Sequence, residues 1–362
     1  MLWWTDTGYQ KKVDPRRSSL DHTMSTSKSE QSYIVTSLVA DPPLRADGRE
    51  LLDYRPIALE TQVADLANGS ARVSIGGASL GGLGVGGGIA STEVLAAAKL
   101  EVENVGGGKD GRAEGRIVVH VTWYVLIDCK LQRPKSDHCS PSSAYPHYTN
   151  NALDDLQEDY TTVLQEALTH PSIHPTNLVI IPNKRSWLLH LDLVVLADNG
   201  NIYDALFLAA SAALRDTRVP RTKVVEYKAR VKIGEKFDED TEMTDVKEGA
   251  KAPHDANSGL NTRTWKNAAE FELEDYWDDG EALKCSGPWP VCITMNYAGS
   301  KHFLDATLAE ESAISSRLLL FYSIPATPDP MKLQGMRLLG HGEAKIDQIK
   351  LSIKVHSVSL FL

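Results

Sequence analysis

The side chains best suited by type to chemistry are two carboxylates six residues apart. Asp192 sits inside the apolar run Trp187–Leu196, and Asp198 heads the Asp198-Asn199-Gly200-Asn201 turn just after it. A carboxylate presented at a strand end can act as a general acid or ligate Mg²⁺. Gly82-Leu83-Gly84-Val85-Gly86-Gly87 formally matches the G-x-G-x-x-G dinucleotide pattern, within a stretch (76–88) of eight glycines. Such a string meets the pattern by composition, and a dinucleotide site needs a strand directly before it and a helix directly after. The residues C-terminal to it alternate instead, with Val94, Ala96, Ala98, Leu100 and Val102 on one face at period two, so the stretch reads as a glycine-rich loop between paired strands. Metal ligands do not assemble. His138 and Cys139 have no companion pair at ligand spacing, and Pro171 and Pro175 deny His170 and His174 the helix that would align them. No metal or cofactor is expected.

The elements that position the two carboxylates are read from periodicity. Trp187–Leu196 is a nearly unbroken Leu/Val run, too short to cross a bilayer, and predicts a buried central strand. Gly, Asn and Asp then tolerate the positive φ of a tight reversal. From Ile202, Ala205, Leu208, Ala209, Ala212 and Ala213 recur at three and four residues, predicting a helix that lays a narrow small-residue face on a sheet and ends by Pro220. Upstream, Ala58–Val63 and Ala71–Ile75 read as a hairpin about Asn68-Gly69, and Ile117–Ile127 as a further strand. Asn150–His170 predicts a helix burying Leu153, Leu156, Tyr160, Leu164, Ala167 and Leu168, closed by Pro171. Downstream, Val291–Tyr297, Lys301–Leu304 and a third strand near Leu318–Tyr322 form a second group, and a segment bearing Ile346, Ile349, Leu351 and Ile353 closes the chain as a helix.

Composition bounds the rest. The 362 residues are 42% hydrophobic and 24% charged, enough for two core-bearing units. The formal charge of -10 argues against a stand-alone nucleic-acid binder. That charge is local: residues 235–281 hold 15 Asp or Glu against 5 Lys or Arg, leaving the remainder neutral. This acidic segment reads as a disordered insertion; Trp265, Phe271, Tyr276 and Trp277 within it could form a short docking motif, though a solvated charge run is the simpler account. Cys129, Cys139, Cys285 and Cys292 form no disulfide framework, which fits a reducing compartment. No signal peptide or membrane span is expected.

Three separated motifs carry a resemblance. These are Arg45-Ala46-Asp47-Gly48-Arg49 with Asp53-Tyr54-Arg55 and Glu60-Thr61; the strand, turn and helix around Asp192 and Asp198, preceded by Asn177 to Pro182; and Asp305-Ala306-Thr307 with Glu310-Glu311. In this order they resemble the RNase PH family, in particular the non-catalytic subunits of the RNA exosome ring. The resemblance implies an α+β RNase PH-like fold of two α/β units with mixed sheets and packed helices. It divides the chain into a disordered extension (1–30), a first domain (31–232, with the Gly-rich insertion at 76–90), an acidic insertion (233–284) and a second domain (285–362). Met24 lies about where the family's chains begin, so residues 1–23 are read as an over-long gene model.

The resemblance also implies function. Active members use inorganic phosphate to attack the 3′-terminal phosphodiester, and bringing two anions together requires Arg and helix-end amides. The helix that carries phosphate-binding arginine in those members here offers Asp154, Asp155, Glu158, Asp159 and Glu166, with no Lys or Arg. Where active members have Thr and Arg after the turn, this chain has Asn201, Ile202, Tyr203 and Asp204. Asp192 and Asp198 are therefore read as structural or vestigial, and the chain as a non-catalytic ring subunit supporting 3′-to-5′ RNA processing and degradation; the alternative is an active phosphate-dependent 3′-exoribonuclease. Implied partners are other RNase PH-like subunits in a hetero-hexamer paired by sheet extension, RNA-binding cap proteins and single-stranded RNA in the channel, in the nucleus, nucleolus and cytoplasm. Candidate channel contacts are Arg72, Lys99, Arg112, Arg116, Lys184 and Arg185, cations on strands and loops that could follow a phosphate backbone, although surface cations more often simply hold water. Arg45, Asp47 and Arg49 stand as a subunit or RNA contact, or as a solvated turn.

Overall fold

The structure is a computed structural model that describes residues 27–77, 91–105, 115–123, 150–227, 268–274, 280–324, 331–342, 346–350 and 353. The chain forms two compact units, one running to Val219 and resuming at Gly280, the other Pro220–Asp279. Residues of both sequence-defined RNase PH-like segments thus share the larger unit.

Chain order in the larger unit begins with α1 (Lys28–Val39), β1 (Ile57–Thr61), β2 (Gly69–Ile75), β3 (Thr92–Asn104), β4 (Arg116–Trp123) and α2 (Asn150–Leu168). β5 (Val179–Ile181), β6 (Arg185–Ala197), α3 (Ile202–Asp216) and β7 (Arg218–Val219) come next. The strands make a mixed sheet of order β1-β2-β3-β6-β4, with β5 also on β6. β6 is interior, as its Leu/Val content predicts: antiparallel to β3 and parallel to β4, it alternates buried Trp187, Leu189, Leu191, Leu193 and Val195 with less buried neighbours. A strand does succeed the Gly-rich stretch, as the alternation of Val94, Ala96 and Ala98 requires.

The second sheet comes from β11 (Pro290–Ala298), β12 (Lys301–Leu304), β13 (Ser316–Ser323) and β14 (Lys332–Gly340), in the order β12-β11-β13-β14, with α4 (Leu308–Ala313) between β12 and β13. Ile293, Met295, Tyr297, Leu304, Leu318, Leu320 and Tyr322 build its core, with Ile349 and Ile353 of the C-terminal helical segment packed against it. β14 and α4 were absent from the sequence expectation. β14's Leu333, Met336 and Leu338 remain largely exposed, so it lacks the buried alternation that marks a strand.

α3 has two buried faces where one was expected. Ala205, Ala209 and Ala213 belong to the side that packs on β2 and β3, where Gly69 comes so close that a Cβ would lie 2.7 Å from the Ala213 carbonyl oxygen. Asp204, Phe207 and Ser211 meet the second sheet through Thr294, Phe321 and the Pro290 carbonyl. The helix ends at Asp216 rather than near Pro220, because Thr217 is extended and Arg218–Val219 pair with β10 (Glu281–Ala282).

Two segments expected to be disordered contain regular structure. α1 begins at Lys28, inside the expected 1–30 extension: Ser27 caps it by accepting from the Glu30 amide, and Ile34 and Leu38 pack with Ala298, Phe303 and Ala306. In the smaller unit, β8 (Thr222–Tyr227) pairs with β9 (Ala268–Leu273), which lies inside the acidic segment. Alternation of Phe271 and Leu273 with Glu270 and Glu272 is a half-buried strand pattern that the charge total obscured. Trp265, Tyr276 and Trp277 fall outside the described residues. Among those described, no helix is long and apolar enough to cross a membrane.

Candidate functional site

The turn between β6 and α3 is the centre of the molecule's polar structure. Gly200 (φ 87°) leaves no room for a Cβ, which would stand 2.5 Å from the Ala306 carbonyl oxygen, and Asn201 comes next at φ 61°. Against this turn sits Asp305, itself at φ 44° and fully buried. Its carboxylate accepts five hydrogen bonds: from Arg55 N (2.7 Å), Nε (2.8 Å) and Nη2 (2.7 Å), Arg49 Nη1 (2.7 Å) and Asn201 Nδ2 (3.0 Å). Burial would raise the pKa of Asp305, but these donors, Arg55 above all, hold it below the usual carboxylate range. Arg55 also donates to the carbonyls of Asn199 and Gly200, so one guanidinium fixes both the turn and the post-β12 segment.

Beside it, Arg45 grips Glu310 in a bidentate pair (2.9 and 2.8 Å) and donates to the carbonyls of Glu50, Leu304 and Asp305. Glu310 closes a capping box with Thr307 at the start of α4, a T-x-x-E pattern legible in the sequence. Arg45, Asp47 and Arg49 thus have an intrachain role that neither the contact nor the solvated reading contained. The Arg45 side chain has no exposed surface, and Asp47 orients Arg49 through a 2.6 Å bond.

The mouth of α3 is filled by acids. Glu311 Oε1 accepts from the Asn201 amide (2.8 Å), while its Oε2 pairs with Arg317 (2.8 Å). Tyr203, one residue into the helix, donates to Asp159 of α2 (2.7 Å), and Asp159 also pairs with Arg337 of β14 (2.5 Å). The charge of Glu311 lifts Arg317 above the usual guanidinium range. On the opposite side of α3, Asp204 accepts from Thr294 Oγ1 (2.7 Å) and Tyr54 OH (3.1 Å), and burial pushes its pKa to about 7. Arg317 and Arg337 were not singled out from sequence, and Tyr54, Arg55 and Asp204 stood there only as motif residues without a bonding role, because partners such as Thr294 for Asp204 and Asp305 for Arg55 lie 90 and 250 residues away.

The two candidate carboxylates are not brought together. Asp192 is exposed on β6, opposite Ala97 of β3 and His120 of β4. Asp198 closes its own turn by accepting from the Gly200 amide (2.8 Å). At about 3.3 Å per residue they stand roughly 20 Å apart along the strand, too far to share one reacting atom.

The basic candidates are dispersed and largely engaged. Arg72 pairs with Glu93, Lys99 with Glu101 and Arg116 with Glu103, all among the outward-facing residues of the first sheet. Lys184 is exposed, Arg185 half-buried, and Arg112 lies outside the described residues.

The model of the 3′ exoribonuclease family, domain 1, matches residues 53–220. The chain carries an RNase PH domain. That match runs from the residue before Tyr54 to the residue after β7, and so holds the β6–α3 turn and Arg55. A Dictyostelium discoideum protein, provisionally named exosome complex exonuclease RRP42, is 24% identical over 316 residues, 76% of this chain and 78% of that relative. Exosome complex component Rrp42 of Sulfurisphaera tokodaii is 31% identical over 196 residues, covering 54% of this chain and 59% of the relative. Its counterpart in Saccharolobus solfataricus is 31% identical over 177 residues, covering 49% and 52%. The match thus spans little more than half the length of these archaeal relatives.

Among solved structures, the RNase PH-like fold is shared with an archaeal exosome core (TM-score 0.53, 18% identity, 90% of this chain and 91% of that one). It is shared also with the Archaeoglobus fulgidus exosome with RNA bound to the active site (TM-score 0.55, 19% identity, 90% and 93%). The α+β expectation of mixed sheets with packed helices therefore holds.

Proposed function

We propose that this chain is a non-catalytic subunit of an RNA exosome core ring, supporting 3′-to-5′ RNA processing and degradation by shaping the channel and holding its neighbours. The Rrp42 names of its relatives support the ring role. The observation that carries the non-catalytic part is the acidic filling at α3: the amide of its N-cap residue Asn201 already serves the Glu311 carboxylate, and Tyr203 and Arg337 both serve Asp159. α2 contributes acids and no Lys or Arg. A phosphate approaching here would meet the carboxylates of Glu311 and Asp159, and their repulsion opposes binding. Asp198, committed to its turn, then has no bound nucleophile to assist.

On this proposal the partners are other RNase PH-like subunits in a hetero-hexamer, RNA-binding cap proteins and single-stranded RNA threading the channel, in the nucleus and nucleolus and also the cytoplasm. The test is phosphorolysis: the purified chain, given a labelled RNA and inorganic phosphate, should release no nucleoside diphosphate. Phosphate-dependent shortening that disappears in Asp198→Ala would establish the alternative, an active phosphate-dependent 3′-exoribonuclease.

A further inference from the structure

α3 runs against the direction of β11, and its contacts step along that strand two residues at a time. Ser211 Oγ donates to the Pro290 carbonyl (3.1 Å), the Phe207 ring stands 5.2 Å from Phe321, the cross-strand partner of Cys292, and Asp204 accepts from Thr294 Oγ1 (2.7 Å). One further step, about 4.5 Å along the helix against about 6.6 Å along the strand, brings the N-cap residue Asn201 to Asn296. Two other ties agree. Glu311 accepts from the Asn201 amide and pairs with Arg317, which is the cross-strand partner of Asn296 on β13. The two side-chain amides also donate to acceptors only two residues apart in the chain: Asn296 Nδ2 to the Phe303 carbonyl (3.4 Å) and Asn201 Nδ2 to Asp305 Oδ1 (3.0 Å).

Both residues are buried, Asn201 with 1% of its surface exposed and Asn296 with none. Their remaining side-chain atoms, Asn201 Oδ1 and Asn296 Oδ1, accept no hydrogen bond from any described residue. A buried acceptor left so is costly. Turning either amide over does not help, because an oxygen would then press on the Phe303 carbonyl or on the Asp305 carboxylate. The two orphans are thus both acceptors, and whatever joins them has to be a donor.

We propose that one buried water molecule is a fixed part of the fold here, donating one hydrogen bond to Asn201 Oδ1 and the other to Asn296 Oδ1. Two donated bonds lie within the roughly two to four that hold a buried water. A metal cation fits less well: hard cations gather about six oxygen ligands, whereas these are two neutral amide oxygens, one of them on the cross-strand neighbour of a cation, Arg317. The water ties the turn after β6 to the second sheet and holds Asn201 in its left-handed backbone (φ 61°), whether or not the chain sits in a ring.

The test is a crystal structure of the full chain at a resolution that orders internal water. A single peak at about 2.7–3.0 Å from both oxygens is expected. An empty map between them, or the two amides bonded directly to each other, would overturn the assignment. A peak at about 2.3–2.6 Å from several oxygens, the signature of a cation, would overturn it as well. In solution, the wild type should melt at the same temperature in sodium, potassium and choline chloride at equal ionic strength; a rise confined to one metal ion would replace the water by that ion. Asn296→Leu, close in shape but without the acceptor, should lose the peak and melt at a lower temperature than the wild type. A peak that survives in Asn296→Leu would show that Asn296 does not hold it. Should that variant fail to fold, the wild-type map and the salt series decide on their own.

Discussion

Replacing Asp305 by Asn tests whether the arginine junction holds the fold together. Asn is nearly isosteric and accepts the left-handed backbone (φ 44°) that the position requires, so the substitution isolates charge from shape. What is lost is an anion bound by five donors, leaving Arg55, whose side chain is 3% exposed, without a counter-charge, and presenting an amide N–H₂ to guanidinium donors. Removing one partner of a buried ion pair costs about 3–5 kcal/mol. At about 2–4 °C per kcal/mol for a domain of this size, the melting temperature at pH 7 should fall by roughly 6–20 °C. Because the folded pKa of Asp305 is depressed, its contribution is present above the ordinary carboxylate range and lost as pH falls through the folded value. The gap between wild type and Asp305→Asn should therefore shrink in acid. Glu101→Gln, which breaks the exposed pair with Lys99, is the control and should leave the melt unchanged. If Asp305→Asn melts with the control across that pH range, the junction does not stabilise the fold and the reasoning fails.

Ala209→Leu should destabilise by ~1–3 kcal/mol in denaturant unfolding, because α3 has a sheet on each side, whereas Arg215→Ala, at an exposed position of the same helix, should not. Asp204 titrates with the opposite sign to Asp305: its folded pKa of about 7 exceeds the unfolded 3.8, so its stabilising effect is complete below about pH 4 and gone above 7. Asp204→Asn should remove that part of the pH slope and raise the melting temperature at pH 8 relative to wild type; an unaltered slope would show that Asp204 is ionised at no cost. Gly200→Ala, with a positive φ and a carbonyl oxygen 2.5 Å from the new methyl, should cost more than ~1 kcal/mol and lower soluble yield.

Local periodicity was enough to place β6, the turn, α3, α2 and the β11–β12 hairpin, because each buries a face whose spacing is written in consecutive residues. The order of three short motifs was enough to point to the fold. Where local pattern and burial part company, the sequence was silent: β14 leaves its apolar residues exposed, β9 is masked by the acids that alternate with Phe271 and Leu273, and α1 depends on a cap and on Phe303 far along the chain.

The candidate site shows the same division. Sequence alone determined that α2 lacks cations and that Asn201-Ile202-Tyr203-Asp204 leads from the turn into α3. Only the tertiary structure decided that Arg45 and Arg49 point inward, that Asp192 and Asp198 lie apart, and that Glu311 and Asp159 fill the mouth of α3. The reason is physical. The sign and number of charges belong to the chain, but whether an arginine meets water, a neighbour or a carboxylate 265 residues away is set by which surfaces the sheets bring into contact.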